Sequence, residues 1–277
     1  MKQPKPRSTK IDMFRVREWA RTFAGYRHVI NENRIDRWLC QFDSKDKDIA
    51  ARVLDCVEFI SHEQMTQAFR SILNSLNGWH KDSNKRRGKW RFVPFSGSAG
   101  ESGDSMSHKF RLANELSGRR FNDLFIYRSD LLRENLTEED TVVFIDDFSG
   151  TGQQACLAWE NSFSELLPEG PTAYLVLIAA NIAARNRIQE ETELLVVPHI
   201  ELTDSDNIFS PSCRHFNSQE KQIILSYCQK IHPNLPKGHG DCGMVVVLAH
   251  NCPNNSIPIL HGVNRRKRWE GLFRRND

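Results

Sequence analysis

Apolar residues recur at intervals of three and four through the first quarter of the chain. Ile30, Ile35, Trp38, Leu39 and Phe42 mark one amphipathic stretch. DSKDKDIAARVLDCVEFI (43–60) is a second: Asp43 and Ser44 are suited to cap it, and Ile49, Val53, Val57 and Ile60 share a face. SHEQ (61–64) has the form of a capping box, Ser61 with Gln64 three residues on. The helix it opens carries Met65, Phe69, Ile72, Leu73 and Leu76 on one side. Residues 1–78 therefore read as a helical N-terminal region, and 79–277 as a second domain. Between them Asn77–Lys89 is polar and basic, with Gly78 and Gly88, as expected of a linker or exposed loop.

The rhythm then changes. WRFVPF, LFIYR, TVVFID, TAYLVLIAA and LLVVPHIEL suit strands, and HKFRLANEL, QQACLAWENSFSELL and AARNRIQEE between them suit helices. Such alternation predicts an α/β fold, a parallel sheet with helices on both faces. Ligands of these sheets bind beyond the carboxyl ends of the strands.

One such end reads TVVFIDDFSGTGQQ (141–154). Two neighbouring carboxylates, Asp146 and Asp147, close a buried strand, where each needs a partner. Gly150 and Gly152 permit unusual backbone angles and close approach, and Gln153 opens a helix whose free amides face the turn. With the hydroxyls of Ser149 and Thr151, the turn suits a phosphate monoester. The acids repel phosphate but accept hydrogen bonds from a ribose diol, so the stretch suits ribose 5-phosphate. Two other readings compete. GTGQQA fits the dinucleotide fingerprint, although the acids precede the glycines and the next strand ends in Asn181 rather than an acid. A plain strand-to-helix turn with solvated aspartates is the other. No lysine follows the glycines, which excludes a Walker-type loop.

Composition narrows the class. The 277 residues are 39% hydrophobic and 26% charged, enough for a real core. The longest apolar run is too short to span a bilayer, and the basic start MKQPKPRSTK has no apolar stretch behind it, so it reads as a solvated tail rather than a secretory signal. Seven cysteines, an odd number with no CxxC pair, fit a reduced, cytoplasmic protein. Cys242, Cys252, His250 and His261 match no zinc-ligand spacing. The net charge is only +3, but cations gather at 81–91 and 264–275; such runs are solvated faces by default and nucleic-acid contacts as the alternative.

TVVFIDDFSGTG resembles the phosphoribosyl-diphosphate (PRPP) signature of type I phosphoribosyltransferases, and the order of elements is similar over roughly 88–277. More narrowly, RWLCQFDSKDKDIAARVLDCVEFIS (37–61) and MVVVLAHNCPNNSIPILHG with WEGLFRR (244–275) resemble segments of phosphoribosyltransferase-like proteins of bacterial conflict systems, including anti-phage cassettes and some retron-associated effectors. The resemblance implies that Asp146 and Asp147 bind the ribose hydroxyls and that Ser149, Gly150, Thr151 and Gly152 bind the 5-phosphate. It implies Mg²⁺ bridging the ligand's pyrophosphate and ribose oxygens, with no dedicated protein metal site. It also implies a pyrophosphate loop at Ser96, Gly97, Ser98, Ala99 and Gly100, with Arg91 or Lys109 neutralising charge; a flexible Gly/Ser linker is the alternative there. Phe148 is bulkier than the family's usual residue, Glu101 adds an acid to the pyrophosphate loop, and no segment plainly supplies a base-recognition hood.

After a last strand at Met244–Ala249, Pro253 and Pro258 prevent regular pairing. Asn251, Asn254 and Asn255 cap turns or read an acceptor, and His250 and His261 are packed side chains or a general base. Two functions follow: a PRPP-using transferase acting on a nucleobase, nucleotide or nucleic-acid acceptor in anti-phage defence, or a non-catalytic PRPP or nucleotide sensor that signals to a partner protein.

Overall fold

The computed structural model describes residues 11–95 and 102–275. The chain begins with helices α1 (Met13–Thr22), α2 (Glu32–Leu39) and α3 (Lys47–Asp55), a short strand β1 (Glu58–Ile60) and helix α4 (His62–Ser75). Then follow β2 (Trp90–Pro94), α5 (Ser102–Ala113), β3 (Thr141–Ile145), β4 (Phe148–Ser149), α6 (Gln153–Ala158), β5 (Thr172–Asn181), α7 (Ile182–Glu191) and β6 (Leu195–Leu202). The last part holds α8 (Ser218–Ile231), β7 (Val246–Leu248), α9 (Pro258–His261) and a hairpin, β8 (Val263–Asn264) with β9 (Trp269–Glu270).

These elements form two compact units, one of residues 1–62 with 204–277 and one of residues 63–203. The N-terminal helices thus share a unit with the C-terminal residues, and 63–78 belongs with the sheet. The reason is a strand where helical spacing ran on. Cys56 ends α3, and Glu58–Ile60 pairs in parallel with Val246–Leu248. The helix also starts later than Asp43: its N-cap is Asp46, whose carboxylate accepts the Tyr227 hydroxyl (2.9 Å) and makes no capping bond, while that hydroxyl accepts the Asp43 amide (3.0 Å). The core of this unit gathers Trp19, Phe23, Trp38, Leu54, Tyr227, Val247 and Phe273.

In the other unit β2, β3, β5 and β6 lie side by side, all parallel, and β4 continues β3 along β5. The β5 run TAYLVLIAAN is buried over most of its length, as a strand covered on both faces must be. Alternation along the strands sends Val93, Val142, Phe144, Leu175 and Leu177 to the side covered by Cys156, Trp159, Phe163 and Ile188. On the opposite side Phe92 meets Phe110 of α5, with ring centroids 5.1 Å apart. Helices therefore cover both faces. LFIYR forms no strand: Phe125 makes a single parallel bridge to Phe92. That bridge still fixes the topology. The chain leaves β2 through α5 to the outer edge, then returns to β3, whose own helix leads the other way to β5. Strand order reverses between β2 and β3, and their carboxyl ends border the crevice where such sheets bind ligands.

Candidate functional site

β3 begins at a fixed point. The buried Asp140 carboxylate accepts the Lys89 amide (2.7 Å), the Thr137 amide (2.8 Å) and the Thr137 hydroxyl (3.1 Å). Burial alone would raise its pKa; the hydrogen bonds and the Lys89 charge outweigh that and hold it below the usual carboxylate range. From there all five residues of β3 are buried, and Ile145 is opposite Pro94 of β2 and Val176 of β5.

Asp146 and Asp147 follow at the carboxyl end, both half-buried. The Asp146 amide still reaches the Val176 carbonyl (3.2 Å). The Asp147 carbonyl accepts two amides of β5, Ile178 (3.0 Å) and Ala179 (3.2 Å), before Phe148 and Ser149 resume pairing with Ala179 and Ala180. The acids interrupt the ladder without shifting its register, so both sit on backbone that β5 holds in place. Lys109 of α5 is half-buried close by: burial lowers its pKa, and the Asp147 carboxylate opposes that by favouring the ammonium. Of the two candidate cations, Lys109 is the one that lies near the acid pair. Arg91 lies near the amino end of β2 and is paired with Glu134 at 2.5 Å.

Ser149 and Gly150 are buried and Thr151 is half-buried. The Thr151 hydroxyl oxygen accepts the Gln153 amide at 3.4 Å, a weak local cap. Gly152 has φ +74°, and a Cβ there would lie 2.9 Å from the Ala184 carbonyl oxygen of α7. Its glycine is therefore demanded by close packing on α7 as well as by its left-handed backbone. The Gly152 carbonyl accepts the Cys156 amide (2.9 Å) to start α6, which continues into a π turn at Trp159–Phe163. The structure thus brings Asp146, Asp147, Ser149, Gly150, Thr151, Gly152 and Lys109 to one end of the sheet. Ser96, Gly97, Ser98, Ala99 and Gly100, and with them Glu101, lie outside the described residues; Phe95, just before them, donates its amide to the Ile145 carbonyl (2.9 Å).

The remaining candidates have structural work. In the 81–91 run Lys81 pairs with Glu115, Arg86 bonds the carbonyls of His80 and Lys81 beneath Trp79, and Lys89 bonds those of Glu134 and Asn135. A hollow of about 230 Å³ lined by Leu73, Trp79, His80, Lys81 and Asn114 lies beside this run, where Trp79 packs on Trp90 at the amino end of β2. In the first unit buried Asn255 donates to the His239 carbonyl (3.0 Å) and to Cys242. The described residues contain no cluster of three or more His, Cys, Asp or Glu suited to a metal, and Cys252 is buried against backbone carbonyls.

His261 lies 3.0 Å through Nε2 from the Ser256 carbonyl, which makes Nε2–H the donor. Burial pushes its pKa down to about 4, with Arg275 and His232 acting the same way against the Ser256 bond. Such an imidazole is a packed hydrogen-bond donor rather than a base. The unfolded chain takes up this proton near pH 6.5 and the fold only near 4, so stability is full above 6.5 and falls between the two values. The loss by pH 4 amounts to about 2–3 kcal/mol. His261→Gln keeps an N–H donor and is expected to flatten the fall between pH 6.5 and 4, measured by urea unfolding at each pH.

A parallel sheet with its order reversed between β2 and β3, and two acids and a small-residue turn at that point, defines a phosphoribosyltransferase-type α/β fold. The family model PRTase-CE, phosphoribosyltransferases of conflict systems, matches residues 35–275, and the chain belongs to that family. No curated protein matches the chain. No described helix is long and apolar enough to cross a membrane.

Proposed function

We propose that the chain binds PRPP with Mg²⁺ at the turn after β3 and uses it on a nucleobase, nucleotide or nucleic-acid acceptor in antiviral defence. The observation that carries this reading is the position of the acid pair: Asp146 and Asp147 stand at the reversal of strand order, held by β5 and followed by a tight turn into a helix. Family membership supports it, since phosphoribosyltransferases typically use Mg²⁺ and PRPP.

In this reading Asp146 and Asp147 accept the ribose 2′- and 3′-hydroxyls. Ser149, Gly150, Thr151 and Gly152, with the first amides of α6, hold the 5-phosphate, and Ser96–Gly100 hold the pyrophosphate. The donor set fits Mg²⁺, which takes one or two carboxylates and completes its shell from substrate phosphates and water; when bound it neutralises charge on the departing pyrophosphate. Breaking the bond from C1 to pyrophosphate leaves positive charge on the ring, and the new bond forms from an acceptor atom that gives up its proton to water or to the departing pyrophosphate. The acid pair stabilises that ring charge, and Lys109 keeps the pocket from becoming too negative for a polyphosphate.

Calorimetry with PRPP, with and without Mg²⁺, tests the binding step; no binding under either condition sinks the reading. Pyrophosphate release is then measured with pools of bases, nucleotides and oligonucleotides. Release with one pool names the acceptor class. Binding without release from any pool identifies a sensor.

A further inference from the structure

The second basic run has a different fate from the first. Residues 263–270 form the β8–β9 hairpin, with Arg265, Arg266, Lys267 and Arg268 exposed across its turn. The hairpin is pinned from behind. Trp269 packs against Phe42 (5.0 Å) and Tyr227 (6.2 Å), and Gln41 both donates to the Glu270 carbonyl (2.9 Å) and accepts its amide (2.7 Å). Phe273 sits edge-on to Phe23 (5.0 Å) and Tyr26 (5.3 Å). The next two residues are tied to the connection between α1 and α2. The Tyr26 hydroxyl donates to the Arg274 carbonyl, and the Arg27 guanidinium donates to the Arg275 carbonyl (3.1 Å).

Arg34 of α2 joins this group. Arg34, Arg274 and Arg275 are each half-buried, so part of every side chain reaches solvent. Yet Nε and Nη2 of Arg34, Nε of Arg274 and Nη1 of Arg275 are shut off from water with no acceptor among the described residues. The neighbouring acid is Glu270, which Arg274 holds at 2.6 Å. Arg34 has a long bond to the Val29 carbonyl (3.4 Å). Burial lowers the Arg34 pKa; Glu270 opposes this, while the charges of Arg274 and Arg37 add to it. Buried charges are ordinarily paired and hydrogen-bonded. Arg34 and Arg274 share Glu270, and the charges of Arg27, Arg34 and Arg275 all act on Tyr26 between them, so one carboxylate leaves an uncompensated positive field on a rigid frame.

We propose that Arg34, Arg274 and Arg275, with Arg27 at the rim, form a binding site for a phosphate group. The balance favours phosphate over carboxylate. The cluster carries two positive charges beyond Glu270, which a phosphate monoester of nearly two negative charges matches and a carboxylate does not. Guanidinium forks also suit phosphate oxygens geometrically. The phosphate belongs to a small phosphoester or to a nucleic-acid strand. A strand would run on to Arg265–Arg268, none of which makes a side-chain hydrogen bond or ion pair among the described residues. The site lies in the unit of residues 1–62 and 204–277 and is independent of the PRPP reading.

The test uses the full chain as wild type, Arg34→Gln, Arg275→Gln and Arg34→Lys. Thermal unfolding is followed with sodium phosphate against sodium chloride of equal ionic strength. Phosphate is expected to raise the wild-type midpoint increasingly with concentration. Each glutamine variant loses most of that rise through affinity at least about tenfold weaker, and Arg34→Lys keeps part of it. Without phosphate the glutamine variants melt no lower than wild type, because each removes repulsion. Phosphate also suits the turn after β3, so the difference between wild type and the arginine variants is the readout. An equal response in all four proteins, or none in wild type, overturns the proposal; so do glutamine variants that melt lower yet respond fully. A labelled single-stranded oligonucleotide identifies the source. Binding whose salt slope falls by about one for each arginine removed marks a nucleic-acid strand, and a phosphate response without oligonucleotide binding marks a small phosphoester.

Discussion

Asp146→Asn combined with Asp147→Asn is expected to weaken Mg²⁺–PRPP binding by at least about a hundredfold and to remove any pyrophosphate release. Each carboxylate in the proposed site accepts a ribose hydroxyl, and a hydrogen bond to a charged group contributes about 1.5–3 kcal/mol. Losing two gives about 3–6 kcal/mol, and a factor of ten is 1.4 kcal/mol. Asparagine preserves shape, and the backbone bonds that hold both residues to β5 run through main-chain atoms, so the fold survives. The double variant also ends the repulsion between neighbouring acids, while Lys109 loses the charge of Asp147. Circular dichroism checks the fold, and calorimetry checks binding. Wild-type affinity in a folded double variant would remove the acid pair from the site.

The second large effect concerns stability. Gly152→Ala puts an alanine at φ +74° and sets its Cβ 2.9 Å from the Ala184 carbonyl oxygen. The left-handed backbone costs about 1–2 kcal/mol. Overpacking against α7 adds about 1–3 kcal/mol, because the obstacle is main chain and yields only if the helix moves. The expected loss is therefore about 2–5 kcal/mol, read from the urea midpoint of the unit containing the sheet. Gly152→Val is worse still, with more atoms pressed on Ile188, whose Cγ1 is already 3.2 Å from the Cβ position. An unchanged midpoint in Gly152→Ala would mean that α6 and α7 are not in fixed contact.

How far the sequence carried differs from place to place. The strands TVVFI and TAYLVLIAA were legible because a parallel strand buried on both faces must be apolar almost throughout. The acid pair and the glycines stood out at a strand end, where the topology then placed the crevice. β1 was not legible. Val57 and Ile60 extend the spacing of Ile49 and Val53, and nothing local reveals that Glu58 pairs with Val246. That Lys109 rather than Arg91 lies near the acid pair needed the direction of β2, which sets Arg91 toward the opposite end of the sheet. The pattern behind Gly152 was visible, but its reason was not: the residue it nearly touches is Ala184, on a helix beyond the next strand. Nothing in the sequence set Arg27 near Arg275 or Arg34 near Arg274, since only tertiary folding brings them together.

The pairing of Glu58–Ile60 with Val246–Leu248 governs the order in which a growing chain matures. Residues 63–203 are contiguous, so the sheet unit has all its parts once that stretch has left the ribosome. Helices α1 to α3 are made before that stretch yet must wait for residues 204–277 before their apolar sides are covered. A chain stopped near residue 203 would carry a completed sheet beside greasy, unsheltered helices, a natural target for chaperones and proteases.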